Sequence, residues 1–237
     1  MITFNTEKLA ELCKDFLPLD GKAQERLSAY GNLLLEWNEK MNLTAITDPE
    51  EVLYKHFYDC LLFFKHVDVE KGASIIDVGT GAGFPGMVLL IARPDIKLTL
   101  LDSLNKRLVF LSAVLEEIGL SANVIHARAE EGGKKAELRE QFDIACARAV
   151  AALPTLSEYC MPYVKKGGTF VSMKGPAADD EVLAAKRALE LLGGGNAEII
   201  KEALPDGSER RFVKIKKISQ TPTKYPRAGG KITKQPL

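Results

Sequence analysis

Between Ile75 and Gly86 the chain reads IIDVGTGAGFPG: an apolar run ends in an aspartate, and four glycines follow within eight residues. A short buried strand that breaks into a turn almost without side chains, and then into a helix, constrains the fold more than any other stretch. The pattern that follows repeats the unit. KLTLLD, ANVIHA, FDIACAR and GGTFVSMKG read as strands. Between them lie helical patterns: Gly86 to Ala92, NKRLVFLSAVLEEIG closed by Gly119, an irregular EEGGKKAELREQ, LPTLSEYCMPYV and DDEVLAAKRALELLGGG. Strands alternating with helices predict an α/β fold, a doubly wound and mostly parallel seven-stranded sheet. The last two strands, AEIIKEALP and RRFVKIKKI, are joined by the short DGSE turn and are expected as an antiparallel hairpin at one edge.

In such a sheet ligands sit beyond the carboxyl ends of the strands, near the switch point. Three ligands compete for the glycine loop. A nucleoside triphosphate needs a lysine followed by Ser or Thr after the last glycine, and this loop has neither. A dinucleotide fits the spacing, since Gly81, Gly83 and Gly86 spell GxGxxG and Asp102 closes the next strand. Against it, Asp77 would stand beside the anionic pyrophosphate, and Phe84-Pro85 adds bulk where the backbone must come close. S-adenosylmethionine removes the conflict, because it carries an ammonium and a sulfonium and no phosphate. Asp77 would then serve its positive end, directly or through water. Gly79, Gly81 and Gly83 would let the backbone approach, and Asp102 would accept from the ribose hydroxyls. A turn serving only chain reversal is the plain alternative.

The first 70 residues read as three amphipathic helices, with Leu9, Leu12 and Phe16 on one face of the first and Leu27, Tyr30, Leu34 and Trp37 along the second. Asp48 and Pro49 open the third. The expected organisation is a helical cap over 1–70, a cofactor-binding domain over 71–218 and a tail over 219–237. The tail has three prolines and no apolar period, and reads as extended. Net charge is zero, but residues 210–237 hold nine Lys/Arg and no acid, leaving 23 basic against 32 acidic residues in the rest. That asymmetry points to a polyanionic partner; a solvated tail is the simpler reading. No apolar run is long enough to cross a membrane, and the N-terminal MITFNTEKLAELCKDF lacks the pattern of a secretory signal. Cys13, Cys60, Cys146 and Cys160 are scattered without metal-ligand spacing, so no metal site is expected, and reduced thiols in a cytoplasm are.

The order D-x-G-x-G-x-G with an acid closing the second strand resembles class I methyltransferases, whose sheet is Rossmann-like. EWNEKMNLTAIT, HFYDCL, DVGTGAGFPG, LLDSLNKRLVFL, FDIACARAVA and KYPRAGG together resemble the glucose-inhibited division protein B family, also called ribosomal RNA small subunit methyltransferase G, across nearly the whole chain. The resemblance implies methylation of guanine N7 in the 530 loop of 16S rRNA (position 527 in the usual rRNA numbering), with S-adenosylmethionine as donor. It implies cofactor contacts at Gly79, Phe84, the pair Ala129-Glu130 and Arg148. Many family members have Leu where Phe84 stands.

Guanine N7 offers a lone pair with no proton to remove, so alignment is expected to carry the reaction and no side chain is assigned as catalytic. Cys146 and Cys160 read as core, and His56 as a packing or hydrogen-bonding residue. Arg148 closes its strand on the ligand side and suits either the cofactor site or guanine O6; a salt bridge is its alternative. Lys106, Arg107, Lys174, Arg210, Arg211, Lys224 and Arg227 are the other candidates for RNA phosphate. The expected partner is 16S rRNA, within the 30S subunit or a precursor, met by a monomer. A small-molecule methyltransferase, an NAD-dependent oxidoreductase and a non-catalytic RNA-binding protein remain as competing readings.

Overall fold

The structure is a computed structural model and describes residues 4–237; the first three residues of the N-terminal stretch read above lie outside the described residues. Seven strands form one sheet: β1 (Ser74–Val78), β2 (Lys97–Asp102), β3 (Asn123–His126), β4 (Phe142–Arg148), β5 (Val164–Lys174), β6 (Gly194–Ala203) and β7 (Glu209–Lys217). Their order is β3-β2-β1-β4-β5-β7-β6, with β1 to β5 parallel and β7 antiparallel to both neighbours. The predicted hairpin is present: β6 is the edge and β7 lies inside it. In β1, Ile75 joins the core on one face while Ile76 and Val78 join the core on the other. Both faces are covered, which is why the strand reads as a near-continuous apolar run.

One face carries α1 (Thr6–Cys13), α2 (Gly21–Met41), α6 (Gly86–Ala92) and α7 (Asn105–Glu117). Asp20 caps α2 by accepting from Ala23 N at 2.7 Å, and the stripe Leu27, Tyr30, Leu34 is buried. Leu9, Leu27 and Phe57 share a single core with Val88 and Phe110, so the N-terminal helices are a layer of the main core. The third predicted helix starts as expected, with Asp48 capping Glu51 N and Pro49 at its first position, but it is not uniform. After α3 (Pro49–Val52) it widens into a π-helical turn, Leu53–Tyr58, before α4 (Asp59–Leu61) and α5 (Phe63–His66). The Asp59 N–H reaches back to Tyr54 O, and single-turn π segments of this kind gather at functional sites.

The other face carries α8 (Ala129–Gly132), α9 (Leu153–Cys160), α10 (Ala178–Leu191) and α11 (Gly229–Lys234). Here the structure corrects the reading of residues 219–237 as extended. Thr221, Tyr225 and Ile232 are buried, and the segment ends in α11 against α9. The Arg139 guanidinium donates to Tyr225 O at 2.9 Å and Thr221 O at 2.6 Å. Arg227 grips the fully buried Glu158, with Nη2 2.6 Å from Oε2. The charge asymmetry is largely consumed in this way: Arg210, Arg211, Lys214, Lys217 and Arg227 all pair with carboxylates of the preceding chain or of β7 itself. Lys217 is buried, with its pKa lowered by burial to about 8 and supported by Glu140.

Candidate active site

The sheet order reverses between β1 and β4, and a crevice of about 270 Å³ opens there at the carboxyl ends of the strands. Gly79 after β1, Asp102 closing β2, Ala129 and Glu130 at the start of α8, and Ala149 and Val150 after β4 line it, joined by Arg107, Arg128 and Tyr159. Gly79, Asp102, Ala129 and Glu130 are thus brought together, as the sequence reading expected. Each loop glycine has a separate reason. Gly79 and Gly81 have φ of +72° and +60°, which L-residues rarely adopt. A Cβ at Gly81 would have only Gly79 O near it, at 3.9 Å, so that face of the loop is open. A Cβ at Gly79 would lie 2.9 Å from Val150 Cγ2, so Val150 covers the loop there. Gly83 points away from the crevice: its Cβ would meet Met87, the Tyr30 hydroxyl and Leu111 within 2.8 Å. Its missing side chain makes room for helix packing, and Gly83, expected at the cofactor, is not in the crevice lining. The Tyr30 hydroxyl donates to Ala82 O, which ties α2 to the loop.

Asp77 is also displaced from its expected place. It is fully buried beneath the loop and does not line the crevice. Its Oδ2 accepts from Thr80 Oγ1 at 2.7 Å and from Gly86 N at 2.8 Å, so it holds the loop shut on the start of α6. Burial pushes its pKa up to about 6, against these two hydrogen bonds and the pull of Arg148. Its Oδ1 is buried without a hydrogen-bond partner among the described residues. Asp77 thus shapes the glycine loop from beneath.

This geometry separates the two cofactors. A dinucleotide would set its pyrophosphate at the N-terminus of α6, and there the Asp77 carboxylate already accepts the Gly86 N–H. S-adenosylmethionine fits the donor set. Asp102 and Glu130, both buried, place two carboxylates on the crevice wall, suited to hydroxyls and a positive charge. Asp102 accepts from Leu104 N at 2.8 Å through Oδ1 and from Gly81 N at 2.9 Å through Oδ2, which orients both oxygens. Arg107, expected at RNA, reaches Asp102 Oδ2 at 3.4 Å and belongs to the crevice.

A second cavity of about 400 Å³ lies across Ala149, the residue common to both linings. Lys55, His56 and Asp59 from the π turn and α4, Arg148 from β4, Lys174 from β5 and Arg210 from β7 face it. Arg148 is its centre. Its Nη1 donates to Lys55 O at 3.1 Å and Asp59 Oδ2 at 3.0 Å, its Nη2 lies 3.2 Å from His56 Nδ1, and its Cζ stands 4.7 Å over the Phe84 ring. His56 stacks on the same ring at 4.4 Å. Burial and the neighbouring Arg148 lower the His56 pKa to about 3, so the imidazole is neutral. Phe84 and Arg148, expected at the cofactor, therefore form a stack under the second cavity. Of the other RNA candidates, Lys174 donates to Ala151 O and pairs with Glu181, both at the edge of this cavity. Arg211 is buried in pairs with Asp179 and Glu209, and Arg227 is spent on Glu158, so neither is available to phosphate. Lys106 and Lys224 are exposed.

Sequence reasoning missed Val150, Tyr159 and Arg128 on the crevice, and Asp59 and Lys55 at the cavity. The chain reaches Val150 through the positive φ of Ala149, +56°, and Lys55 and Asp59 through the π turn, while Arg128 precedes α8 and Tyr159 lies on α9.

A family model described as rRNA small subunit methyltransferase G matches residues 23–207. The chain belongs to the ribosomal RNA small subunit methyltransferase G family. It is 48% identical over 223 residues to the curated member from Clostridium beijerinckii, covering 93% of each chain, and 46% identical over 232 residues to that from a Clostridium botulinum strain, covering 97% of each. Among solved structures it resembles a methyltransferase from Pyrococcus furiosus (TM-score 0.56, 15% identity, 82% of this chain and 99% of that one). It also resembles an S-adenosylmethionine-dependent O-methyltransferase from Thermotoga maritima (TM-score 0.54, 18% identity, 79% and 72%). At these identities the likeness shows the fold, a methyltransferase sheet. Membership of the family makes the chain a ribosomal RNA methyltransferase that uses S-adenosylmethionine, and the oxidoreductase reading falls.

Proposed function

We propose that the chain methylates guanine N7 in the 530 loop of 16S rRNA, acting in the cytoplasm on the 30S subunit or a precursor, with cofactor in the switch-point crevice and the guanine in the cavity beside it. The observation that carries the reading is the shared wall: Ala149 lines both spaces, so two ligands placed in them are neighbours. S-adenosylmethionine supplies an electrophilic methyl group when bound. Gly79, Asp102, Ala129 and Glu130 would hold it. The base, turned out of its stack, meets a cavity rich in donors. Guanine presents O6 and N7 as acceptors on one edge, which arginine suits. Arg148 keeps Nε–H and one Nη2–H without a protein acceptor among the described residues. Lys174 and Arg210 line the same cavity, and though paired with Glu181 and Asp59 they keep further N–H groups for phosphate or O6.

No proton has to leave N7, and the site matches that economy. His56 is neutral but is held by Arg148 and by Thr44 Oγ1 at 2.8 Å from Nε2, so it positions the arginine. All four cysteines are buried, and burial raises the Cys146 and Cys160 thiols well above their ordinary value, which leaves them unreactive. The role of the protein is alignment. The atom is tested with 30S subunits rebuilt on 16S rRNA carrying 7-deazaguanine at the target: transfer stops while the subunit still competes with the natural one. Continued methylation of the deaza base would move the acceptor off N7.

A further inference from the structure

The C-terminal segment lies against the cofactor crevice at residues that its lining depends on. Glu130, buried on the crevice wall, is bound by Arg128 Nε at 2.8 Å on one side. On the other side stands the backbone of Gly229, the first residue of α11. A Cβ there would overlap Glu130 Oε1 and lie 2.8 Å from its Cδ. Thr233 Oγ1, one turn on, donates to Gly229 O at 2.6 Å and fixes that backbone. The residue before Tyr159 is Glu158, which accepts from the Arg227 backbone N–H at 2.7 Å as well as from its guanidinium. Pro226 packs on Gly133, at the end of α8, closely enough that a Cβ at Gly133 would lie 3.3 Å from Pro226 Cγ. Glu130 directly, and Tyr159 through its neighbour Glu158, are thus braced by one run of eight residues, 226–233.

We propose that this segment, Gly229 above all, is a positioning element of the cofactor site: it sets Glu130 and Tyr159 where the cofactor meets them. The proposal rests on the reading that the crevice holds the cofactor. The tail backbone closes onto the carboxylate so tightly that a methyl group at 229 must push Glu130 aside, and its φ is not in the left-handed range, so alanine acts there by that contact alone. Gly230, next to it, faces open space and serves as the control.

The test is calorimetry of S-adenosylmethionine against the full chain and its variants, each with a thermal melt. Gly229→Ala is expected to weaken binding about tenfold, the scale of one charged hydrogen bond, while Gly230→Ala leaves it unchanged. In a Glu130→Ala background the atoms that clash are gone, and Gly229→Ala is expected to add nothing. Wild-type affinity in folded Gly229→Ala, or an equal loss with and without Glu130, overturns the proposal. Should Gly229→Ala not fold, Thr233→Val decides: it removes the hydroxyl that holds Gly229 O and is expected to weaken binding roughly twofold to threefold through Gly229 and Glu130, and unchanged affinity overturns the proposal. Asp102→Ala separates the two readings. If it too leaves affinity intact, the crevice is not the cofactor site; if it weakens binding while the tail variants do not, only the tail's part fails.

Discussion

Asp77 holds a proton up to about pH 6 because it is fully buried, and one of its oxygens has no partner among the described residues. Its raised pKa makes folding proton-linked: between about pH 4 and 6 the folded chain keeps a proton that the unfolded chain has lost. The stability tied to that proton is complete below about pH 4 and lost as pH rises through about 6, on the order of 3 kcal/mol. Asparagine does not titrate, so the stability of Asp77→Asn relative to wild type should rise from pH 4 to 7 and then level off, as followed by urea unfolding at each pH. A gap that stays constant with pH would show that Asp77 titrates as an ordinary surface acid. Asp102 is the opposite kind of residue, buried but aimed at the ligand space, and Asp102→Ala should weaken S-adenosylmethionine by about 1–3 kcal/mol in calorimetry. Cys146→Ala and Cys160→Ala should retain methyl transfer; a folded variant that binds both substrates and is inactive would contradict direct attack by N7.

Two elements behave unlike their sequence. The run from Pro49 to His66 has helical spacing throughout, yet the π turn in its middle brings Lys55, His56 and Asp59 to the same arginine. A period of 3.6 cannot announce one extra residue in a turn, so this part of the site was illegible. The C-terminal segment was misread for a different reason. Its apolar residues, Tyr225 and Ile232, are too sparse to show a period, and its basic residues resemble a solvated arm until the acids they meet are placed. Arg227→Ala should therefore act on the fold. It leaves Glu158 buried without its partner, at a cost of about 3–5 kcal/mol, visible as a lowered melting temperature. Removal of residues 219–237 should likewise lower both melting temperature and cofactor affinity. A truncated chain that melts like the full one and binds S-adenosylmethionine equally well would restore the reading of a free tail.

At the scale of the whole molecule, the alternation of strands and helices made the mostly parallel sheet and the edge hairpin legible, because both faces of a parallel sheet must be buried and the residues that do so form recurring apolar runs. The crevice was legible through Asp102 and Gly79, which carry backbone signals. The second cavity was not, since its residues come from the N-terminal layer, three strands and a turn that only packing brings together. The division of labour between these two spaces has a direct test. Labelled methyl from S-adenosylmethionine, offered to 30S subunits that lack the modification, should appear on N7 of one guanine in the 530 loop of 16S rRNA, with Asp102→Ala lowering the affinity for the donor and Arg148→Met lowering transfer at saturating donor. Label on another atom or another region of the RNA, or full transfer by Arg148→Met at saturating donor, would contradict it.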